Sequence, residues 1–241
     1  MRGFAVRPEL RWVGQERRSH LPGAPWERAF KAVAGLIAAF LVFTFASVAE
    51  AATLRIVAFG DSLTAGYGIP RSAAFPARLE AALKAKGLDV KVENAGVSGE
   101  TASQGLARLD WSVPQGTNAV IVELGANDML RGLDPAVTRK ALTEIVQRLR
   151  KRGITVLLAG MKAAPNMGQP YREAFDRIYP DIAAAEGVLL YPFFLDGIAG
   201  DRALNLPDGL HPNPEGVDRI VAGILPMAEQ LVARAREANA R

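Results

Sequence analysis

The chain contains no cysteine. Disulfides, cysteine zinc sites and an anchor on a lipidated cysteine are therefore excluded, and export to an oxidising compartment would add no covalent staple. Histidine is nearly absent as well: only His20 and His211 occur in 241 residues. That scarcity argues against a histidine-built metal site, and no metal is expected. A basic stripe is also missing. Residues 1–51 hold seven basic and four acidic groups, leaving 22 basic and 21 acidic groups for the rest. The sequence pI of about 9.6 comes largely from the N-terminus, and no nucleic-acid partner is implied. There is no internal repeat and no low-complexity linker.

What is present begins with that N-terminus. Seven Lys/Arg residues in positions 1–31 precede 17 uncharged residues, Ala32 to Val48, and then Ala49-Glu50-Ala51. A basic region, a short apolar core and a small-x-small site read as a secretory signal peptide over residues 1–51. The expected product is an exported protein, periplasmic or secreted, with one domain over 52–241. The alternative is an uncleaved anchor, since 17 residues lie at the lower edge for a spanning helix. A membrane would then be touched only through this leader.

The remaining composition, 49% hydrophobic and 22% charged, suits a globular domain. Short apolar runs at Leu54–Phe59, Val90–Asn94, Ala119–Leu124, Ile154–Ala159 and Val188–Tyr191 read as strands. Helical spacing appears between them, over Phe75–Lys86, Ala102–Leu109, Asp134–Arg152, Tyr171–Glu186 and Pro214–Arg236. Asp134 is the expected N-cap, with Pro135 at the first helical position. Pro180 must kink or split its helix, and Pro226 marks an irregularity in the last one. Strict alternation predicts an α/β fold, three layers (α/β/α) around a central five-stranded parallel sheet. Ligands of such sheets bind beyond the carboxyl ends of the strands.

Three loops fall at those ends with chemistry-bearing residues. Ser62, in Gly60-Asp61-Ser62-Leu63-Thr64, follows the first strand; it does not sit in the Gly-x-Ser-x-Gly elbow of common α/β hydrolases. Gly99, in Ser98-Gly99-Glu100-Thr101, leaves its amide open to a substrate oxygen. Asn127, in Gly125-Ala126-Asn127-Asp128, offers a neutral amide donor suited to an oxyanion. Asp128 reads as structural, bonding to backbone. Near the C-terminus, Asp208 and His211 stand three apart in Asp208-Gly209-Leu210-His211-Pro212. A carboxylate that close can hold one ring nitrogen and leave the other for Ser62. A hydroxyl, a base and an orienting acid are the parts of acyl transfer. Taken singly, each segment also has an ordinary explanation as a cap, a turn or a surface residue.

These four blocks, in this order, resemble the GDSL or SGNH hydrolases. The resemblance covers Leu54 to about Leu231 and includes Tyr171-Arg172-Glu173-Ala174-Phe175 and Gln104-Gly105-Leu106-Ala107-Arg108-Leu109. It implies the flavodoxin-like SGNH fold, with Ser62 as nucleophile, His211 as base and Asp208 as orienting acid. It also implies an oxyanion hole made of the Ser62 amide, the Gly99 amide and the Asn127 side chain, with no cofactor. Similarity is greatest to the bacterial periplasmic branch that acts on acyl-CoA thioesters, aryl esters and lysophospholipids. The expected partner is thus a small-molecule acyl ester or thioester, met by a monomer.

An acyl channel is sought in the apolar segment after the fourth strand, with Met161, Pro165, Met167 and Tyr171 on one wall and Leu206 and Pro207 opposite. Other readings are a carbohydrate O-acetylesterase of the cell envelope and a non-catalytic binding protein on the same fold. A phosphate-binding protein is disfavoured, because the glycine-rich loops lack a Walker lysine.

Overall fold

The computed structural model describes residues 53–240. The expected leader at 1–51 lies outside them. Among the described residues, no helix is long and apolar enough to cross a membrane.

Five strands form the sheet: β1 (Leu54–Gly60), β2 (Val90–Gly96), β3 (Ala119–Glu123), β4 (Thr155–Ala159) and β5 (Leu189–Tyr191). All neighbours pair in parallel, in the order β2-β1-β3-β4-β5. The central strands are apolar on both faces, and β3 is buried at every position. That is the pattern of a sheet covered on both sides, as the sequence predicts. Among the described residues, eight α-helices accompany it: α1 (Ser62–Ala65), α2 (Phe75–Ala85), α3 (Ala102–Ser112), α4 (Ala126–Leu130), α5 (Pro135–Lys151), α6 (Gln169–Asp176), α7 (Ile178–Glu186) and α8 (Pro214–Asn239). Helices α2 and α8 pack together, and α5 packs with α3 and α7. With this strand order, the right-handed crossovers general to parallel sheets put these two groups on opposite faces.

The chain first moves from β1 outward to β2, then returns to the other side of β1 for β3. In open parallel sheets such a reversal is where ligands bind, outside the carboxyl ends of the two strands, here β1 and β3. The loops after these two strands carry Ser62 and Asn127.

Local signals explain most boundaries. The Asp134 side chain accepts from Ala136 N–H at 2.8 Å, and Pro135 opens α5. Thr101 and Gln104 make a reciprocal capping box at the start of α3. The stretch around Pro180 is split, as its proline demands: α6 ends at Asp176, and α7 restarts two residues before Pro180, within whose first turn a missing N–H does no harm. The α8 helix, by contrast, runs on through Pro226. That residue is exposed, so water can satisfy the carbonyl left without its donor. The exposed edge of β2 is blocked by side chains. Glu80 accepts from Val92 N–H at 2.8 Å, and Asn94 accepts from Gly96 N–H at 2.9 Å.

Candidate active site

Asp61 sits between the last residue of β1 and the single turn of α1. Its Oδ1 accepts from Leu63 N–H at 3.0 Å and so caps that turn. Ser62 is the first helical residue, and the turn closes at Gly66 in the left-handed region, φ 81°. The serine is thereby held just above the strand end.

The C-terminal loop brings His211 to it. His211 Nε2 lies 2.9 Å from Ser62 Oγ, and His211 Nδ1 lies 2.7 Å from Asp208 Oδ2. The other Asp208 oxygen accepts from the backbone N–H groups of His211 at 3.0 Å and Leu210 at 2.9 Å. These two amides, and then the imidazole, hold the Asp208 carboxyl down at about 2. Gly209 takes φ 69° to make the turn between Asp208 and His211. The loop is pinned from behind: Leu206 N–H donates to the His211 carbonyl at 2.7 Å, and the Asn205 amide donates to the carbonyls of Ile198 and Asp201, each at 2.7 Å. Hydroxyl, imidazole and carboxylate thus form one continuous hydrogen-bonded chain. Such a chain is able to pass the hydroxyl proton to the imidazole while the carboxylate fixes the ring.

Asn127 reaches this turn through Asp61, and the loop of Gly99 is tied to the strand end by Val97 N–H, which donates to the Gly60 carbonyl at 3.0 Å. Gly99 has φ 84°, a conformation that favours glycine. Its carbonyl accepts from Arg131 Nη2 at 2.6 Å. Neither Ser62 N–H nor Gly99 N–H has an acceptor among the described residues. Asn127 Nδ2 donates to Asp61 Oδ2 at 2.9 Å and to the Glu100 carbonyl at 3.0 Å. Its amide therefore bridges the first and second blocks, and a substrate oxygen would have to share or displace one of these contacts. Asp128 is structural, as read from sequence: it accepts from Ala102 N–H at 2.8 Å and Thr138 Oγ1 at 2.9 Å.

Four side chains that the sequence did not single out complete the site. The ring of Tyr67 lies 4.5 Å from the His211 imidazole, tilted by 36°. Arg108 donates to the Gly60 carbonyl at 2.9 Å and pairs with Glu100 at 2.5 Å, while its guanidinium covers the Phe59 ring at 4.3 Å. Asp61 is fully buried, and burial raises its carboxyl to about 6 against the opposing pull of Leu63 N–H and the Asn127 amide. Glu123, at the end of β3, is buried beneath Asp61 and Thr64. A buried acid inside an apolar strand run is a sequence signal that could have flagged Glu123.

The expected acyl channel needs one correction. Met161 is 3% exposed and belongs to the hydrophobic core, so it does not line an open wall. Pro165 is exposed and Met167 half-buried in a short 3-10 turn. Tyr171 stacks on Phe175 at 5.9 Å, and its hydroxyl donates to the Leu133 carbonyl at 2.9 Å. Leu206 is half-buried beside Gly68, and Pro207 is exposed. Leu206 is therefore close to Tyr67 and His211. Tyr67 and Leu210, both about half exposed, add apolar surface there.

Comparison with known proteins follows this geometry. Residues 58–219 match the model of the GDSL-like lipase/acylhydrolase family. The chain is 38% identical to esterase TesA of Pseudomonas aeruginosa over 184 residues, which covers 76% of this chain and 92% of the relative. It is 41% identical to thioesterase 1/protease 1/lysophospholipase L1 of Escherichia coli over 175 residues, covering 72% and 82%. Among solved structures, AlinE4, an SGNH-hydrolase family esterase, aligns with TM-score 0.63 and 42% identity over 74% of this chain and 96% of that one.

Proposed function

The chain belongs to the GDSL-like lipase/acylhydrolase family of hydrolytic enzymes, and on that premise we propose that it is a serine esterase working through Ser62, His211 and Asp208. The observation that carries this reading is the unbroken relay of 2.9 Å from Ser62 Oγ to His211 Nε2 and 2.7 Å from His211 Nδ1 to Asp208. His211 takes the Ser62 proton as Oγ attacks the acyl carbonyl. The oxyanion is met by the N–H groups of Ser62 and Gly99 and by the Asn127 amide. His211 then protonates the leaving alcohol or thiol, and water repeats the cycle on the acyl-serine ester. No cofactor enters these steps.

The proposed substrates are small acyl esters and thioesters: aryl esters, acyl-CoA and lysophospholipids. Apolar surface from Tyr67, Leu206 and Leu210 beside the imidazole supports an acyl chain over a sugar acetate as the group recognised. The basic N-terminus, the uncharged run Ala32 to Val48 and Ala49-Glu50-Ala51 support export.

A substrate panel tests this reading. Parent enzyme should turn over p-nitrophenyl butyrate and a medium-chain acyl-CoA better than acetylated sugars, and Ser62→Ala should abolish each turnover in folded protein. Undiminished turnover by Ser62→Ala would remove the serine from the mechanism, and preference for sugar acetates would replace the substrate class.

A further inference from the structure

Glu123 is the last residue of β3, and its register partner on β1 is Gly60. Its side chain is fully buried. Oε2 accepts from Thr64 Oγ1 at 2.7 Å and from Asp61 N–H at 3.4 Å, whereas the buried Oε1 has no partner. Both donors belong to the nucleophile turn: Asp61 caps it and Thr64 lies within it. Gly60 leaves the room, since a Cβ there would fall 2.5 Å from Glu123 Oε2.

Resting on the reading of Ser62 as nucleophile, we propose that Glu123 is a positioning residue, held as the neutral acid, that fixes the Ser62 turn from below and leaves Asp61 as the ionised partner of Asn127. Two carboxyls this close do not both ionise in a dry interior. The hydrogen bonds assign the proton. Each Asp61 oxygen has a donor, Leu63 N–H on one and the Asn127 amide on the other. Glu123 Oε1 has none, and an unpaired charged oxygen costs far more when buried than an unpaired neutral one. Burial, and then the Asp61 charge, push the Glu123 carboxyl well above its usual range. The other charged or titratable groups facing this pair do not offset that: His211 lowers the Asp61 carboxyl and so favours Asp61 as the ionised member. Tyr179, on α7, is itself buried and neutral, Asp128 adds negative charge, and the Arg108 guanidinium is spent on Glu100 and the Gly60 carbonyl.

The chemistry follows from the geometry. Thr64 is two residues from Ser62, so a shift of the turn moves Oγ away from His211 and the serine amide away from the oxyanion. Misplacement by about 1 Å is enough to cost up to 10²-fold in rate. Ground-state binding of the acyl chain would be little changed.

The test uses Glu123→Gln, Glu123→Ala, Thr64→Val and Thr64→Ser in the full chain. Glu123→Gln copies the neutral acid and should keep kcat within a few-fold. Glu123→Ala and Thr64→Val should lose about tenfold or more in kcat at nearly constant KM, with Thr64→Ser restoring it. A second readout does not depend on activity. A raised pKa means that the folded parent holds a proton which the unfolded chain gives up above about 4.5, so parent stability falls as pH rises beyond that point. The Tm of Glu123→Gln relative to parent should therefore climb as pH rises above about 5. A flat or falling difference, a Glu123→Gln variant as slow as Glu123→Ala, or full kcat in Thr64→Val would each overturn the proposal. Failure of the serine reading would appear separately, as turnover surviving Ser62→Ala.

Discussion

Arg108 donates to the carbonyl of Gly60 at 2.9 Å, which ties α3 to the strand end two residues before Ser62. The same guanidinium pairs with Glu100, next to Gly99, so one buried cation joins the end of β1 to the glycine loop. Both side chains are largely buried, 5% and 15% exposed. Arg108→Ala would leave the Glu100 carboxylate without its partner, while the Gly60 carbonyl would keep only the Val97 N–H at 3.0 Å. The expected loss is about 3–5 kcal/mol of unfolding free energy. Urea denaturation of parent and variant measures it, and a loss below about 1 kcal/mol would show that water replaces the guanidinium.

Asp208 gives a pH signature. Its carboxyl is lowered from 3.8 to about 2, foremost by the His211 N–H. A depressed carboxyl adds stability that is present above the unfolded value and is lost as pH falls through the folded one. The Tm advantage of parent over Asp208→Asn should thus be full above about pH 5, shrink below pH 4 and vanish near pH 2. An advantage unchanged at pH 2 would mean that the carboxylate is not what the loop amides and ring hold. The same variant should lose on the order of 10³–10⁴ in kcat, because an amide favours the wrong imidazole tautomer.

Asn127→Ala should lower kcat by roughly 10²–10³ if the amide meets the oxyanion. The variant also removes a donor from Asp61, a contact that Asn127→Ser, with its shorter hydroxyl, would not restore across 2.9 Å. Both variants should therefore be slow while still labelling with a fluorophosphonate probe. A kcat within a few-fold of the parent would take Asn127 out of the oxyanion role.

The ring of Tyr67 steadies the imidazole face at 4.5 Å. Ring contacts of this kind are worth about 0.5–1.5 kcal/mol, so Tyr67→Ala should reduce kcat by up to about tenfold. Tyr67→Phe, which keeps the ring, should match the parent. Equal loss in both variants would assign the effect to the hydroxyl instead.

Much of this was legible in the sequence, for identifiable reasons. The five strands show as apolar runs because a doubly covered parallel sheet leaves no polar face. The start of α5 shows because Asp134-Pro135 is local chemistry. The Asp208–His211 pair shows because three residues span one turn. By contrast, the one-turn helices carrying Ser62 and Asn127 are too short to have a period, and they read as loops. Glu123 stands out locally only as an acid ending an apolar run, and what it and Arg108 do depends on partners 59 and 48 residues away. Met161 was misassigned because an apolar residue after a strand serves a channel or a core equally well, and only burial distinguishes them.

Mass mapping after fluorophosphonate treatment tests the central claim most directly. A single adduct on the peptide containing Ser62, lost in His211→Ala at neutral pH, is the expected result. A folded protein that takes no adduct, or takes it on another residue, would contradict the account.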